Sequence, residues 1–284
     1  MQMLSSLWDE GVFIFDDVIA SEAKQSPSFN FEIASSQKNV PRNDIGAHMT
    51  ELLAQSDAYL KEFDATVTAV NGDLVALDRT AFYPRGGGQP SDVGTLRVGS
   101  DEYKVLEVKK QGGDAWHKLD RAATFTVGAS VHGAIDWERR YKLMRTHTAL
   151  HILCGMMFRD YGVSVTGGDM EPHAARMDFE LERMSADFAH EVEEKVNAEI
   201  AAAREIRVKV LPREEAFAIP DLIRTKINLL PPDIKEVRTV EIVGLDLQAD
   251  GGTHVANTRE VGRIKVVGHE SKGKINKRLR IAVE

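Results

Sequence analysis

The 284-residue sequence predicts an α+β protein, with a small antiparallel β-barrel on the N-terminal side followed by a region of mixed helices and strands. Two observations carry this. From Ala65 to about Asp136 the chain runs in short alternating segments separated by Gly, Asn and Asp turns, the pattern of a compact barrel. Beyond that point two stretches take up a helical apolar period, and further alternating stretches follow. The length suits two domains of ~100 to 200 residues, and we expect them at 49–138 and 139–284.

Residues 1–48 lack sustained periodicity, and Ser21 to Asn43 is rich in Ser, Gln, Asn and Pro, so a disordered extension is expected there. Met49-Thr50-Glu51-Leu52-Leu53 opens a more conventional stretch, which makes Met49 a candidate start. Ala65 to Val70 alternates, Asn71-Gly72 is a strong hairpin-turn signal, and Leu74 to Leu77 returns. Gly94 to Val98, Tyr103 to Val108 and Ala129 to Ile135 complete the expected strands, with turns at Gly99-Ser100-Asp101 and Gly112-Gly113-Asp114. A helix is expected from Trp137 to Phe158. A second, N-capped by Ser185, carries Phe188, Val192, Val196 and Ile200 at one apolar residue per turn, to about Arg204. Ile206 to Val210 and Val237 to Ile242 read as strands, Pro231-Pro232 as a loop, and Gly262 to Val267 with Lys277 to Val283 as a closing hairpin.

Charged residues interrupt every apolar stretch well short of the ~20 residues a membrane span needs, and acidic residues flank Val12 to Phe15 where a signal peptide carries positive charge. The single cysteine, Cys154, allows no intramolecular disulfide and fits a reducing cytoplasm. No membrane and no obligate protein partner is expected. The net charge of −8 is unevenly placed: residues 1–48 hold seven acidic against three basic side chains, and residues 259–284 hold eight basic against three acidic. A local basic face of this kind can hold phosphates although the total is negative.

His147 and His151 stand four apart on the expected helix, so their imidazoles project from one face. Asp250 and His254, spaced around Gly251-Gly252, add two further donors of types that zinc accepts, for a four-ligand site. A zinc peptidase would place Glu directly after the first histidine as general base, but Thr148 stands there. Cys154 falls on the same helix face as the histidines, yet lies within Ile152-Leu153-Cys154-Gly155-Met156-Met157-Phe158, which reads as core. The loop from Thr80 to Gly94, with Gly86-Gly87-Gly88, lacks the Gly-Lys-Ser/Thr ending of a nucleotide phosphate loop. It is either a wide turn tied down by Gln89 and Asp92 or a wall of the pocket facing the metal.

Three segments in order, Thr80-Ala81-Phe82-Tyr83-Pro84-x-Gly-Gly-Gly-Gln89-Pro-x-Asp92-x-Gly94, His147-x-x-x-His151 and Gly251-Gly252-Thr253-His254-Val255-x-Asn257-Thr258, resemble the alanyl-tRNA editing proteins. These are freestanding relatives of the editing domain of alanyl-tRNA synthetase and, more distantly, of threonyl-tRNA synthetase. The likeness runs from about Met49 to the C-terminus. It implies a cytoplasmic, zinc-dependent deacylase acting in trans on tRNA(Ala) mischarged with serine or glycine, and a barrel followed by an α+β zinc-binding editing domain. It implies one Zn2+ per chain, on His147, His151, Asp250 and His254. Relatives commonly carry cysteine where this chain has Asp250, so a carboxylate oxygen replaces a thiolate. Thr80 and Gln89 resemble pocket residues of the family and are the candidate catalytic pair, able to hydrogen-bond the serine hydroxyl. Two mechanisms suit such a site, activation of a water by zinc, or zinc holding the substrate amino or hydroxyl group while nearby polar groups orient a separate water, and the sequence does not choose between them. Arg139, Arg140, Lys142, Lys274, Lys277 and Arg278 are the candidates for the acceptor stem. The competing readings are a hydrolase of another aminoacyl ester and a tRNA-binding module with a structural zinc.

Overall fold

The computed structural model describes residues 49–224 and 234–284; the disorder expected at 1–48 and the loop expected at Pro231-Pro232 lie outside the described residues. Met49–Glu284 forms one compact unit. It opens with β1 (Glu51–Leu52), which pairs in parallel with β4 (Arg79–Thr80). The strands β2 (Glu62–Asn71), β3 (Leu74–Leu77), β5 (Gly94–Val98), β6 (Asp101–Gln111), β7 (Asp114–Leu119) and β8 (Ser130–Ile135) close a six-stranded antiparallel barrel in the order β2-β3-β7-β6-β5-β8. Alternation makes it: Phe63, Ala65 and Val67 of β2 and Ala115, His117 and Leu119 of β7 point inward and are buried.

The second half is built on α1 (Trp137–Tyr161). Asp136 caps it by accepting the Arg139 N–H at 3.0 Å, and Gly162, at φ 65°, ends it. All residues from Thr146 to Met157 are buried, so α1 is covered on every side rather than presenting one apolar face. Around it lie the sheet β14-β15-β10-β9, made of β9 (Val165–Glu171), β10 (Ala174–Glu180), β14 (Ile264–Gly273) and β15 (Asn276–Val283), and the helix α2 (Ala186–Ala201). A three-stranded sheet β11-β12-β13, from β11 (Ile206–Pro212), β12 (Glu236–Ile242) and β13 (Asp246–Ala249), leads into the Gly251-Gly252 turn; α3 (Arg213–Phe217) follows β11.

Trp137 packs against both the barrel core and the core around α1. Arg140, one turn on, joins the Thr80 to Gly94 loop to the same helix. Its side chain is 0% exposed, its Nε lies 3.0 Å from both oxygens of Asp92, and its Nη2 also bonds that carboxylate. The remaining N–H groups donate to the Ala58 and Ala81 carbonyls at 2.9 and 2.6 Å. Removing one partner of such a buried pair strands the other charge and costs about 3 to 5 kcal/mol. Arg140, a sequence candidate for the acceptor stem, is buried here with its guanidinium bonded within the fold.

Candidate metal centre

His147 and His151 sit at the middle of α1, one turn apart, with ring centroids 4.9 Å apart. The segment after β13 lays His254 over them, 4.3 Å from His147 and 4.6 Å from His151. Gly252 permits this approach, since a Cβ there would fall 2.2 Å from His147 Cε1 and 2.8 Å from Gln89 Oε1. The Asp250 carboxylate completes the group, with Oδ1 3.6 Å from His147 Nε2 and 3.9 Å from His151 Nε2, and Oδ2 3.0 Å from His254 Nε2. The four ligand atoms lie within 4.8 Å of one another.

The outer ring nitrogens of His147 and His254 are held by the protein, which bears on what their inner ones offer. His147 Nδ1 lies 3.0 Å from Gln89 Oε1, an acceptor only, so the proton sits on Nδ1 and the Nε2 lone pair faces the cluster. Gln89 is itself locked: its amide donates to Thr253 Oγ1 at 2.9 Å, and its oxygen accepts the Thr253 N–H at 3.1 Å. His254 Nδ1 lies 3.2 Å from Thr148 Oγ1, which also accepts the Val255 N–H. The residue standing where a peptidase carries its general base thus serves to orient a histidine from the distal segment.

Burial favours the neutral forms of His147 and His254. It pushes His147 well below its usual range, against the opposing pull of Asp250, and lowers His254 to about 4 with help from His151. Burial also works against ionisation of Asp250, but the adjacent His147 and the His254 hydrogen bond outweigh it and hold the carboxyl well below the carboxylate range. Neutral imidazole and ionised carboxylate are the ligating forms. Donor atoms sharing one zinc at ~2.0 to 2.2 Å each stand roughly 3.5 Å apart, so the cluster fits a single ion of that kind after a shift of about an ångström.

The other residues singled out in the sequence fall in several places. Gln89 reaches the cluster through His147. Thr80 is buried in the barrel, its Oγ1 2.8 Å from His117 Nε2 and accepting the Phe82 N–H at 3.1 Å, and these bonds tie it to His117 rather than to the four donors. Cys154 lies in the core around α1 and outside the cluster, and burial pushes its thiol up. Among the basic candidates, Lys277 is buried, its Nζ capping the Gly273 and Lys274 carbonyls, and Arg278 forks onto Asp178 at 2.6 and 2.8 Å. Lys142 pairs with Glu138 on the surface of α1, Arg139 is half-buried beside it, and Lys274 is exposed at the β14–β15 turn. Sequence reasoning passed over Arg238, whose guanidinium lies beside Asp250. Its only signal was register: it stands one residue before Thr239, the partner of Ala249 across the sheet.

Comparison with known proteins places the chain among relatives. A family model described as tRNA synthetases class II (A) matches residues 21–139, and one described as the threonyl and alanyl tRNA synthetase second additional domain matches residues 237–280. The chain is 42% identical over 238 residues to the alanyl-tRNA editing protein AlaX-M of Saccharolobus solfataricus, covering 83% of this chain and 100% of that one. It is 41% identical to the protein of the same name from Methanosarcina barkeri, over 81% of this chain and 98% of the relative. The alanine–tRNA ligase of Ignicoccus hospitalis is 42% identical over 224 residues, which span 77% of this chain but 24% of the ligase.

Proposed function

The chain belongs to the alanyl-tRNA editing proteins, and on that footing we propose that it is a zinc-dependent aminoacyl-tRNA deacylase acting in trans on tRNA(Ala) mischarged with serine or glycine. The observation that carries the metal half of this reading is the gathered set of three imidazoles and one carboxylate, with the outer nitrogens of His147 and His254 already engaged. On the same reading the chain divides into a barrel domain at 49–138 and an editing domain at 139–284, and works in the cytoplasm. No helix of the described residues is long and apolar enough to cross a membrane.

A zinc ion on His147, His151, Asp250 and His254 would supply Lewis acidity toward the aminoacyl ester. The chain's own groups then do the discriminating. The Thr80 hydroxyl gives its proton to His117 Nε2, because the other ring nitrogen faces the Val75 carbonyl at 3.1 Å, and its oxygen accepts from Phe82. That leaves the Thr80 oxygen one lone pair with which to accept from a serine hydroxyl. A pocket built to hydrogen-bond a hydroxyl distinguishes serine from alanine far better than one relying on shape. Gln89, fixed by Thr253, holds His147, and we assign it with Thr80 to the substrate pocket. Lys142, Arg139 and Lys274 are the basic side chains we assign to the acceptor stem.

The test compares serine release from Ser-tRNA(Ala) with alanine release from Ala-tRNA(Ala), with and without chelator. We expect serine released preferentially, the activity lost on chelation and restored by zinc. Bound tRNA with no serine released under any of these conditions would identify a tRNA-binding module with a structural metal instead.

A further inference from the structure

We propose that Arg238 is a positioning residue for the fourth ligand, fixing the Asp250 carboxylate so that it offers one oxygen, Oδ1, to the metal. The proposal rests on the metal-site reading above. Arg238 on β12 and Asp250, just past the end of β13, face each other across the antiparallel pair: Thr239 is opposite Ala249, and the Asp250 N–H donates to the Arg238 carbonyl at 3.1 Å. The guanidinium is 8% exposed and held at two points. Its Nε donates to the Gln55 carbonyl at 2.9 Å and its Nη1 to the Asp250 carbonyl at 2.8 Å. From there Nη1 lies 3.7 Å from Asp250 Oδ2, the oxygen that also accepts the Gly252 N–H at 2.7 Å. Oδ2 thus takes the Gly252 N–H and lies near Arg238, with His254 Nε2 also 3.0 Å from it, while Oδ1 faces His147 and His151 and is held by no other protein donor among these contacts.

The arrangement answers a difficulty particular to a carboxylate. A thiolate presents one atom whichever way its side chain turns, whereas a carboxylate can rotate, chelate with both oxygens or turn away. A cation and an N–H held on one oxygen remove that freedom, and groups that orient ligands in this way are worth ~10- to 100-fold in metal affinity. Arginine suits the task because its planar fork reaches the Gln55 and Asp250 carbonyls while its charge stays beside Oδ2.

A double-mutant cycle on the full chain tests this, with cobalt(II) and zinc affinities measured by competition against a chelator. Arg238→Gln should lower affinity by at least ~10-fold, and Arg238→Lys, the milder change should the first fold poorly, by less. Both should shift the visible absorption of the cobalt protein as the carboxylate changes its mode. In an Asp250→Cys background, where a thiolate-to-cobalt charge-transfer band verifies ligation, Arg238→Gln should change affinity less than twofold. Equal losses in both backgrounds, or unchanged affinity and cobalt spectrum in the Arg238 variants, would overturn the role of Arg238. A wild-type chain that takes up neither metal would overturn the site reading itself.

Discussion

At the scale of single residues, the polar groups inside this protein are arranged in twos and threes, each fixing the proton of the next. His117 is the clearest titrating case. Burial pushes it down to about 4 from an ordinary value of 6.5, although backbone bonds to Val75 and Ala115 oppose the shift. The unfolded chain therefore binds a proton at His117 that the folded chain refuses between about pH 6.5 and 4. Folding stability falls as pH falls through that window, by up to about 1.4 kcal/mol per pH unit for one such group. Urea unfolding of metal-free protein across this range should show that slope, and His117→Gln should flatten it by about one proton. An unchanged slope in the variant would mean that His117 is protonated in the fold. Asp250 and Arg238 show the same economy of partners: the mostly buried carboxylate comes with a buried cation beside it.

At the scale of elements, the site depends on how closely the Gly251-Gly252 turn can approach α1. A Cβ on Gly252 would sit inside contact distance of His147 and Gln89, while one on Gly251 meets nothing nearer than Gln55 Nε2 at 3.9 Å. Gly252→Ala should therefore abolish stoichiometric metal binding, and Gly251→Ala should leave it within a few-fold of wild type, as measured by metal analysis after dialysis. The helix and the two glycines were legible in the sequence because period and turn chemistry are local properties. Several strands were not, β1, β4 and β13 being short and two further groups being hidden by their composition. β7 hides because the inward position between Ala115 and Leu119 is a histidine, which spoils the apolar alternation until its Thr80 and Val75 partners are known. β9 and β10 hide because their charged side chains are paired across the sheet, as Arg278 with Asp178, and because Gly167-Gly168 reads as a turn. The five residues of α3 are too few to establish a helical period. The same limit explains Arg140: a sequence marks it as positive, but only tertiary structure reveals the Asp92 carboxylate that takes up the charge.

At the scale of the whole molecule, a chain of net charge −8 is asked to bind a polyanion. Burial of Arg140 and Lys277 and pairing of Arg278 narrow the usable positive charge to exposed groups such as Lys274 and the surface of α1 near Lys142. The KM for Ser-tRNA(Ala) should accordingly rise steeply with salt while that for a small seryl ester barely moves, and Lys274→Ala should reduce the slope of log KM against log salt by about one. Equal salt slopes for the two substrates would exclude phosphate contacts from recognition. The larger claim is that segments as far apart in sequence as Thr148 and His254, 106 positions, fold into one zinc site. Metal content per chain in wild type, Asp250→Ala and Cys154→Ala tests it most directly. One zinc in wild type, retained in Cys154→Ala and lost or sharply weakened in Asp250→Ala, is the predicted result; zinc that survives Asp250→Ala and disappears with Cys154→Ala would contradict it.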